Sequence, residues 1–139
     1  MRPILVLGAS GQLGRAVCRL CKYALIDKFS NDISDDQIVT DWFLKCRNYN
    51  CVINAAAITQ VDYCETLECR AFEVNALGVK YLAKNIVRQG GTLLHVSTDY
   101  VFPGTDPTPR KETDPASPIN AYGRTKWAGE VFVRAICPK

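Results

Sequence analysis

No apolar run in the 139-residue chain approaches the roughly 18 residues that a membrane span requires, so no transmembrane helix is expected. Nor does an apolar leader-type segment follow Met1-Arg2-Pro3, which leads straight into a strand pattern, and the expectation is a cytoplasmic protein. A net charge of +3, with lysines and arginines scattered, offers no basic stripe for nucleic acid or an anionic membrane surface. There is one histidine, His95, and the Cys18-Arg-Leu-Cys21 pair has no second pair at matching spacing. A zinc site would lack ligands, so no metal is expected, and cysteine on a helix face commonly behaves as a small hydrophobe. Seven cysteines, an odd number spread mostly over predicted helices and strands, argue for reduced thiols rather than a secreted disulfide framework. Repeats and low-complexity tracts are absent. What remains, 47% hydrophobic and 22% charged, suits one globular domain with a real core.

The most informative stretch runs from Pro3 to Leu20. Ile4-Leu-Val-Leu7 is a short unbroken apolar run, as in a strand buried on both faces. Leu13, Ala16, Val17 and Leu20 then fall at helical spacing. Between them lies Gly8-Ala-Ser-Gly11-Gln-Leu-Gly14. Glycine at three fixed points permits a tight bend, a close approach of backbone to a pyrophosphate, and close packing of helix on strand. The anion would meet unpaired N–H groups and the positive end of the helix dipole. A glycine-spaced loop also serves plain turns, but here the strand before and the helix after supply the context of a dinucleotide site.

Further strands are expected at Tyr23–Ile26, Cys51–Asn54 and Thr92–Val96, with helices from a Ser34 cap to about Asn48, from about Cys64 to Arg88, and from Asn120 or Ala121 to before Pro138. Leu67, Ala71, Val74, Gly78, Leu82 and Ile86 mark the buried face of the long helix, and Gln89-Gly90-Gly91 stops it. Val101–Pro118 carries five prolines and reads as a loop over the carboxyl edge of the sheet. Strand alternating with helix predicts an α/β doubly wound parallel sheet, Rossmann-type, with right-handed crossovers. Asp27 lies 19 residues past Gly8, where a carboxylate can bind the adenosine ribose, or it caps the strand end. Lys28 beside it suits a 2′-phosphate instead, which leaves NADPH and NADH both open. Ala55, Ala56 and Ala57 follow the third strand, and small side chains there let a ring or ribose approach the backbone.

Tyr122 and Lys126 lie four residues apart on the last helix, hence on one face. A free tyrosine titrates near 10, and a lysine cation nearby stabilises phenolate and brings the proton into working range. The pair suits protonation of a carbonyl oxygen as hydride reaches its carbon. Thr98, after the fourth strand, can add a hydroxyl donor to the same oxygen.

Gly8-x-x-Gly11-x-x-Gly14, Asn54-Ala-Ala-Ala57, Ser97-Thr-Asp-Tyr-Val-Phe102 and Tyr122-Gly-Arg-Thr-Lys126 together resemble the extended short-chain dehydrogenase/reductases. Asp32-Ile33, Val61-Asp62, Asn75 and Glu112-Thr-Asp114 before Ser117-Pro118 point within them to the dTDP-4-dehydrorhamnose reductase family. The resemblance implies a catalytic triad of Thr98, Tyr122 and Lys126, with Lys126 also holding the nicotinamide ribose. It implies that Gly11, Gln12 and Leu13 meet the pyrophosphate, with Gly8, Ser10 and Gly14 also cofactor-binding, Asp27 the ribose side and Asp32-Ile33 the adenine. Ala55 to Ala57 would line the cofactor, while Thr98 and Asp99 touch a nucleotide-linked sugar. Asp99 as a turn cap and Asn75 as a core hydrogen-bonder are the structural alternatives, and Tyr100 and Phe102 are expected to pack the loop. Reductases of this family continue for roughly as many residues again, so the chain resembles their amino-terminal half, with the substrate-binding half absent. Homo-oligomers are expected, because an apolar edge strand is left without a neighbour. A related branch, the NADP-binding regulatory subunit of methionine adenosyltransferase, is the alternative, with Thr98 favouring the reductase.

Overall fold

The computed structural model describes residues 3–21, 26–46 and 48–137. Four strands, β1 (Ile4–Leu7), β2 (Ile26–Phe29), β3 (Cys51–Asn54) and β4 (Thr92–His95), form one parallel sheet in the order β2-β1-β3-β4. The chain moves one way from β1 to β2, then reverses to β3 and β4. Right-handed crossovers must therefore place the first connecting helix on one face and the later ones on the other. Helix α1 (Gln12–Leu20) takes the first face, while α2 (Asp36–Lys45), α5 (Val79–Arg88) and α6 (Ala121–Ile136) pack together on the second.

Register explains the core. Leu5 pairs with Asp27 and Val52, and Leu7 with Phe29 and Asn54, so these rows face α2 and α5. There Leu5, Leu7, Phe29, Val52, Val39, Phe43, Leu82 and Ile86 form the main cluster. Phe29 meets Trp42 edge-on at 5.2 Å, and Trp42 Nε1 donates to the Tyr49 hydroxyl at 3.2 Å. The alternate row, Lys28–Val6–Ile53–Leu94, faces α1. That face is thinly covered. Leu94 is 51% exposed, and Leu13 and Leu20 of α1 are 46% and 80% exposed although their spacing predicts burial. Only Gly14 of α1 is buried.

Several predicted bounds shift. The second strand does not end at Asp27 but runs to Phe29, because Asp27 and Lys28 alternate between faces and both fit a strand paired on one side. Tyr23 to Leu25 lie outside the described residues. Helix α2 is capped by Asp35, whose side chain accepts from Ile38 N at 3.0 Å, not by Ser34, and it stops at Lys45. The long helix is broken into α3 (Val61–Thr66), α4 (Glu68–Phe72), a π-helical segment Glu73–Gly78, and α5. Leu67 breaks it at φ −126°, ψ 55°, and is itself 46% exposed rather than buried.

The π-helical segment rotates Asn75 inward, fully buried. Its Oδ1 accepts from Ile58 N at 2.9 Å, and its Nδ2 donates to Ile58 O at 3.0 Å and Thr125 Oγ1 at 3.1 Å. Thr125 Oγ1 donates in turn to Tyr122 O at 2.9 Å. Asn75 is thus a core hydrogen-bonder that ties the segment after β3 to α6. Asn75→Ala is expected to cost about 3 kcal/mol, since it strands several buried partners. Urea unfolding followed by circular dichroism measures this, and a loss within experimental error would remove Asn75 from that role.

Candidate active site

At the end of β1 the chain turns sharply at Gly8, with φ of 71°, and Gly11 N donates to Gly8 O at 2.9 Å. A Cβ on Gly8 would sit 2.7 Å from the Ala55 carbonyl carbon, and one on Gly14 would strike Gly8 O. Larger residues would push α1 off the strand end. The first turn of α1 has no side-chain cap at Gly11, so its backbone N–H groups are left for an anion.

Three adjoining cavities follow the carboxyl ends of the strands, the place where open α/β sheets bind ligands. One of about 420 Å³ lies between the glycine loop and the end of β2, lined by Gly8, Ala9, Ser10, Lys28, Ser30 and Asn31 among others. A second of about 320 Å³ adds Gly11, Asp32, Ile33, Ala55, Ala56 and Ala57. The third, about 370 Å³, joins Gly11, Gln12 and Leu13 to Ala55, Ala57, Thr59, Ser97, Tyr122 and Lys126. Shared lining residues make them one trough from the end of β2 to the last helix.

The trough thus gathers most of the sequence-predicted residues, but Gly14, Asp27, Thr98 and Asp99 do not line it, Gly14 being packed under the Gly8 carbonyl. Asp27 sits in mid-strand opposite Leu5, half-buried on the α2 face, where its charge reaches Tyr49. It lines none of the three cavities. Thr98 and Asp99 lie just beyond. Thr98 lines a neighbouring cavity of about 670 Å³ with Phe102, Arg110, Trp127 and Glu130, while Asp99 borders a smaller one with Tyr100 and Ile119. Thr98 Oγ1 accepts from Tyr100 N and donates to Asp99 Oδ1, both at 3.3 Å. Tyr100 packs edge-on against Tyr122 at 5.5 Å. Thr59, Ser97, Ser30 and Asn31 were not anticipated. Ser97 donates to Glu130 Oε1 at 2.5 Å, and its signals in the sequence are its strand-end position and its place in the Ser97–Phe102 motif.

Tyr122 and Lys126 are 9% and 2% exposed. Asn120 caps α6 by accepting from Gly123 N at 2.7 Å, which starts the helix so that both side chains face the trough. Lys126 Nζ donates to Val96 O at 2.6 Å, just past β4. Burial lowers its pKa from 10.5 to about 8, although the Glu130 carboxylate pulls the other way. Beside it, His95 is pushed down to about 3, chiefly by burial and then by the Lys126 charge. Asn54 Oδ1 accepts from Ala56 N at 3.1 Å, which turns its amide NH₂ toward His95 Nδ1, also 3.1 Å away. A neutral His95 accepting there carries its proton on Nε2, which is buried without a hydrogen-bond partner among the described residues.

The sequence matches the family described as the RmlD substrate binding domain over residues 1–139. The chain belongs to this family. Among its relatives, the dTDP-4-dehydrorhamnose reductase of Aggregatibacter actinomycetemcomitans is 39% identical, with 100% of this chain aligned to 49% of that protein. The crystal structure of a dTDP-4-dehydrorhamnose reductase from Clostridium acetobutylicum superposes with a TM-score of 0.91 at 39% identity, covering 99% of this chain and 50% of that one. That of Bacillus anthracis, in complex with NADP, gives 0.92 at 32%, covering 97% and 50%. The chain spans about half the length of the relatives it matches. In this RmlD-family chain the fold is accordingly the Rossmann type shared with those reductases.

The buried lysine makes a measurable signature. Unfolded, Lys126 keeps its proton to about pH 10.5; folded, it releases it near 8, so its contribution to stability rises with pH across that interval. At 1.36 kcal/mol per unit the rise amounts to about 3 kcal/mol. The stability difference between the native chain and Lys126→Met, measured by denaturant titration from pH 7 to 10.5, is expected to grow by about that amount. A flat difference would mean the ammonium is well solvated.

Proposed function

We propose that the chain is the dinucleotide-binding half of an NAD(P)H-dependent reductase acting on a nucleotide-linked 4-keto sugar, as the names of its relatives suggest. The observation that carries the reading is the joining of Gly11–Leu13 with Tyr122 and Lys126 in one cavity. Close approach at Gly8 and Gly14, open N–H groups at α1 and the alanine-lined end of β3 suit NADPH or NADH. Gly8, Ser10, Gly11, Gln12, Leu13 and Gly14 hold the pyrophosphate, Asp32, Ile33 and Ala55–Ala57 the adenine side and the inner wall, and Lys126 the nicotinamide ribose.

When bound, the dinucleotide supplies a hydride. The Tyr122 hydroxyl gives a proton to the sugar's carbonyl oxygen, and the Lys126 ammonium stabilises the phenolate left behind. Thr98 hydrogen-bonds the same oxygen, and Asp99 the sugar. The regulatory-subunit alternative gains no support from any feature of the site.

A substrate must also be oriented, and proximity supplies roughly 7–11 kcal/mol of barrier lowering when remote groups are gripped. In this reading residues 1–139 are one dinucleotide-binding domain, and that grip comes from the part of the relatives that this chain does not span. Homo-oligomers form through the exposed row at Leu94 on β4, which is paired on one side only among the described residues. The assembly is cytoplasmic.

The 139-residue chain is expected to bind NADPH by calorimetry, and Gly11→Val to abolish that binding with an unchanged circular dichroism spectrum. By itself the chain turns over no dTDP-4-dehydrorhamnose at the nicotinamide absorbance band. In a protein of full family length carrying these residues, Tyr122→Phe lowers turnover at least ~100-fold with cofactor affinity little changed. Undiminished NADPH affinity in Gly11→Val, or near-normal turnover in Tyr122→Phe, would contradict the reading.

A further inference from the structure

Two segments carry the groups proposed for the reaction, and one carboxylate joins them. Thr98 follows β4, next to Ser97, while Tyr122 and Lys126 stand on the first turns of α6. Glu130 lies one turn beyond Lys126 on the same face of that helix. Its side chain is 17% exposed, and Ser97 Oγ donates to its Oε1 at 2.5 Å across 33 positions of sequence. That length suits a hydroxyl held by a charged acceptor. The other oxygen, Oε2, accepts from Arg134 at 2.9 Å, and the Arg134 guanidinium lies 4.9 Å from the centre of the Trp127 ring. With both oxygens engaged, the carboxylate is held in one orientation.

The Ser97–Glu130 bond stands between two cavities. Ser97 lines the one of about 370 Å³ with Tyr122 and Lys126, whereas Glu130 lines the one of about 670 Å³ with Thr98. The Lys126 bond to Val96 O, at 2.6 Å, is the neighbouring tie between the same two segments. A side chain one turn from Lys126 that grips the residue before Thr98 fixes how far the Thr98 hydroxyl stands from the Tyr122–Lys126 pair. Glu130 also brings a charge. Its carboxylate favours the Lys126 ammonium, against the burial that lowers the lysine to about 8. Beside Lys126 stand also His95 on β4, kept neutral, and Tyr122 one turn back. Across the larger cavity Glu130 faces Arg110, Lys111, Glu112 and Asp114 of the loop.

We propose that Glu130 is a positioning residue of this site. Through Ser97 it locks the segment bearing Thr98 to the helix bearing Tyr122 and Lys126, and it is the fixed counter-charge of the Lys126 ammonium. The inference rests on the reductase reading of those three residues.

The counter-charge is read in the 139-residue chain by NMR titration of carbon-13-labelled lysine. The Lys126 signal, assigned by its loss in Lys126→Met, is expected to titrate near 8. Glu130→Gln, nearly isosteric and still an acceptor for Ser97, lowers that midpoint by about one unit. Glu130→Asp restores the charge and most of the midpoint. A midpoint that Glu130→Gln leaves unmoved, or that Glu130→Asp shifts just as far, would overturn the proposal. The lock is read in a protein of full family length carrying these residues. There Ser97→Ala lowers kcat about tenfold with the NADPH KM little changed, and Glu130→Ala lowers it at least as far. Adding Ser97→Ala to Glu130→Ala costs nothing more, because the two act through one bond. Additive losses, or none, would overturn the lock, and circular dichroism checks that each variant folds. Absence of turnover in the native protein of that length would remove the reductase reading and the lock with it, leaving the lysine titration to decide the counter-charge.

Discussion

The pairing of β1 with β3, Leu7 beside Asn54, is the constraint on which the site depends. Because the chain left β1 for β2 and then returned to β3, the helices that follow these strands lie on opposite faces. A crevice opens above the strand ends between them. Gly8 turns over the Ala55 carbonyl at its bottom, so the glycine loop and the alanines share one floor. The trough is laid out along this junction, with the end of β2 on one flank and β4 with α6 on the other.

On the β4 flank, buried polar groups fix α6 and with it Tyr122 and Lys126. Asn54 holds His95 and the Ala56 amide, Asn75 holds Thr125 and Ile58, and Lys126 reaches Val96. Such groups are costly to bury singly and rigid when paired. They therefore set the height and rotation of α6 against the sheet. One consequence is that the lysine is held dry enough to lose charge near pH 8, beside a histidine that stays neutral at any physiological pH.

Local chemistry made much of this legible in the sequence. The apolar runs of β1 and β3, the glycine spacing and the Tyr122–Lys126 interval each have one dominant physical reading, and each falls where expected. Reading failed where tertiary packing chose between near-equal local options. Nothing around Leu67 marks a break, because its apolar spacing continues through the kink and the π-helical segment restores the phase afterwards. Ser34 and Asp35 are both good caps, and the pull of Arg70 on the Asp32–Ser34 turn leaves Asp35 to do it. Asp27 and Lys28 differ by one residue, and only the register with Leu5 and Val6 decides which points to the cavity. Leu13 and Leu20 look like core and are exposed, because the α1 face of the sheet is thinly covered here.

The central claim is that the phosphate loop and the Tyr122–Lys126 pair belong to one ligand site. Titrating isotope-labelled chain with NADPH, while following each backbone amide by NMR, tests it most directly. Amides of Gly8–Gly14, of Ser30–Ile33 and of Ser97, Tyr122 and Lys126 should shift along one saturation curve with a single dissociation constant. Shifts confined to the glycine loop, with Ser97, Tyr122 and Lys126 unmoved at saturation, would contradict the account and separate the helix pair from the cofactor.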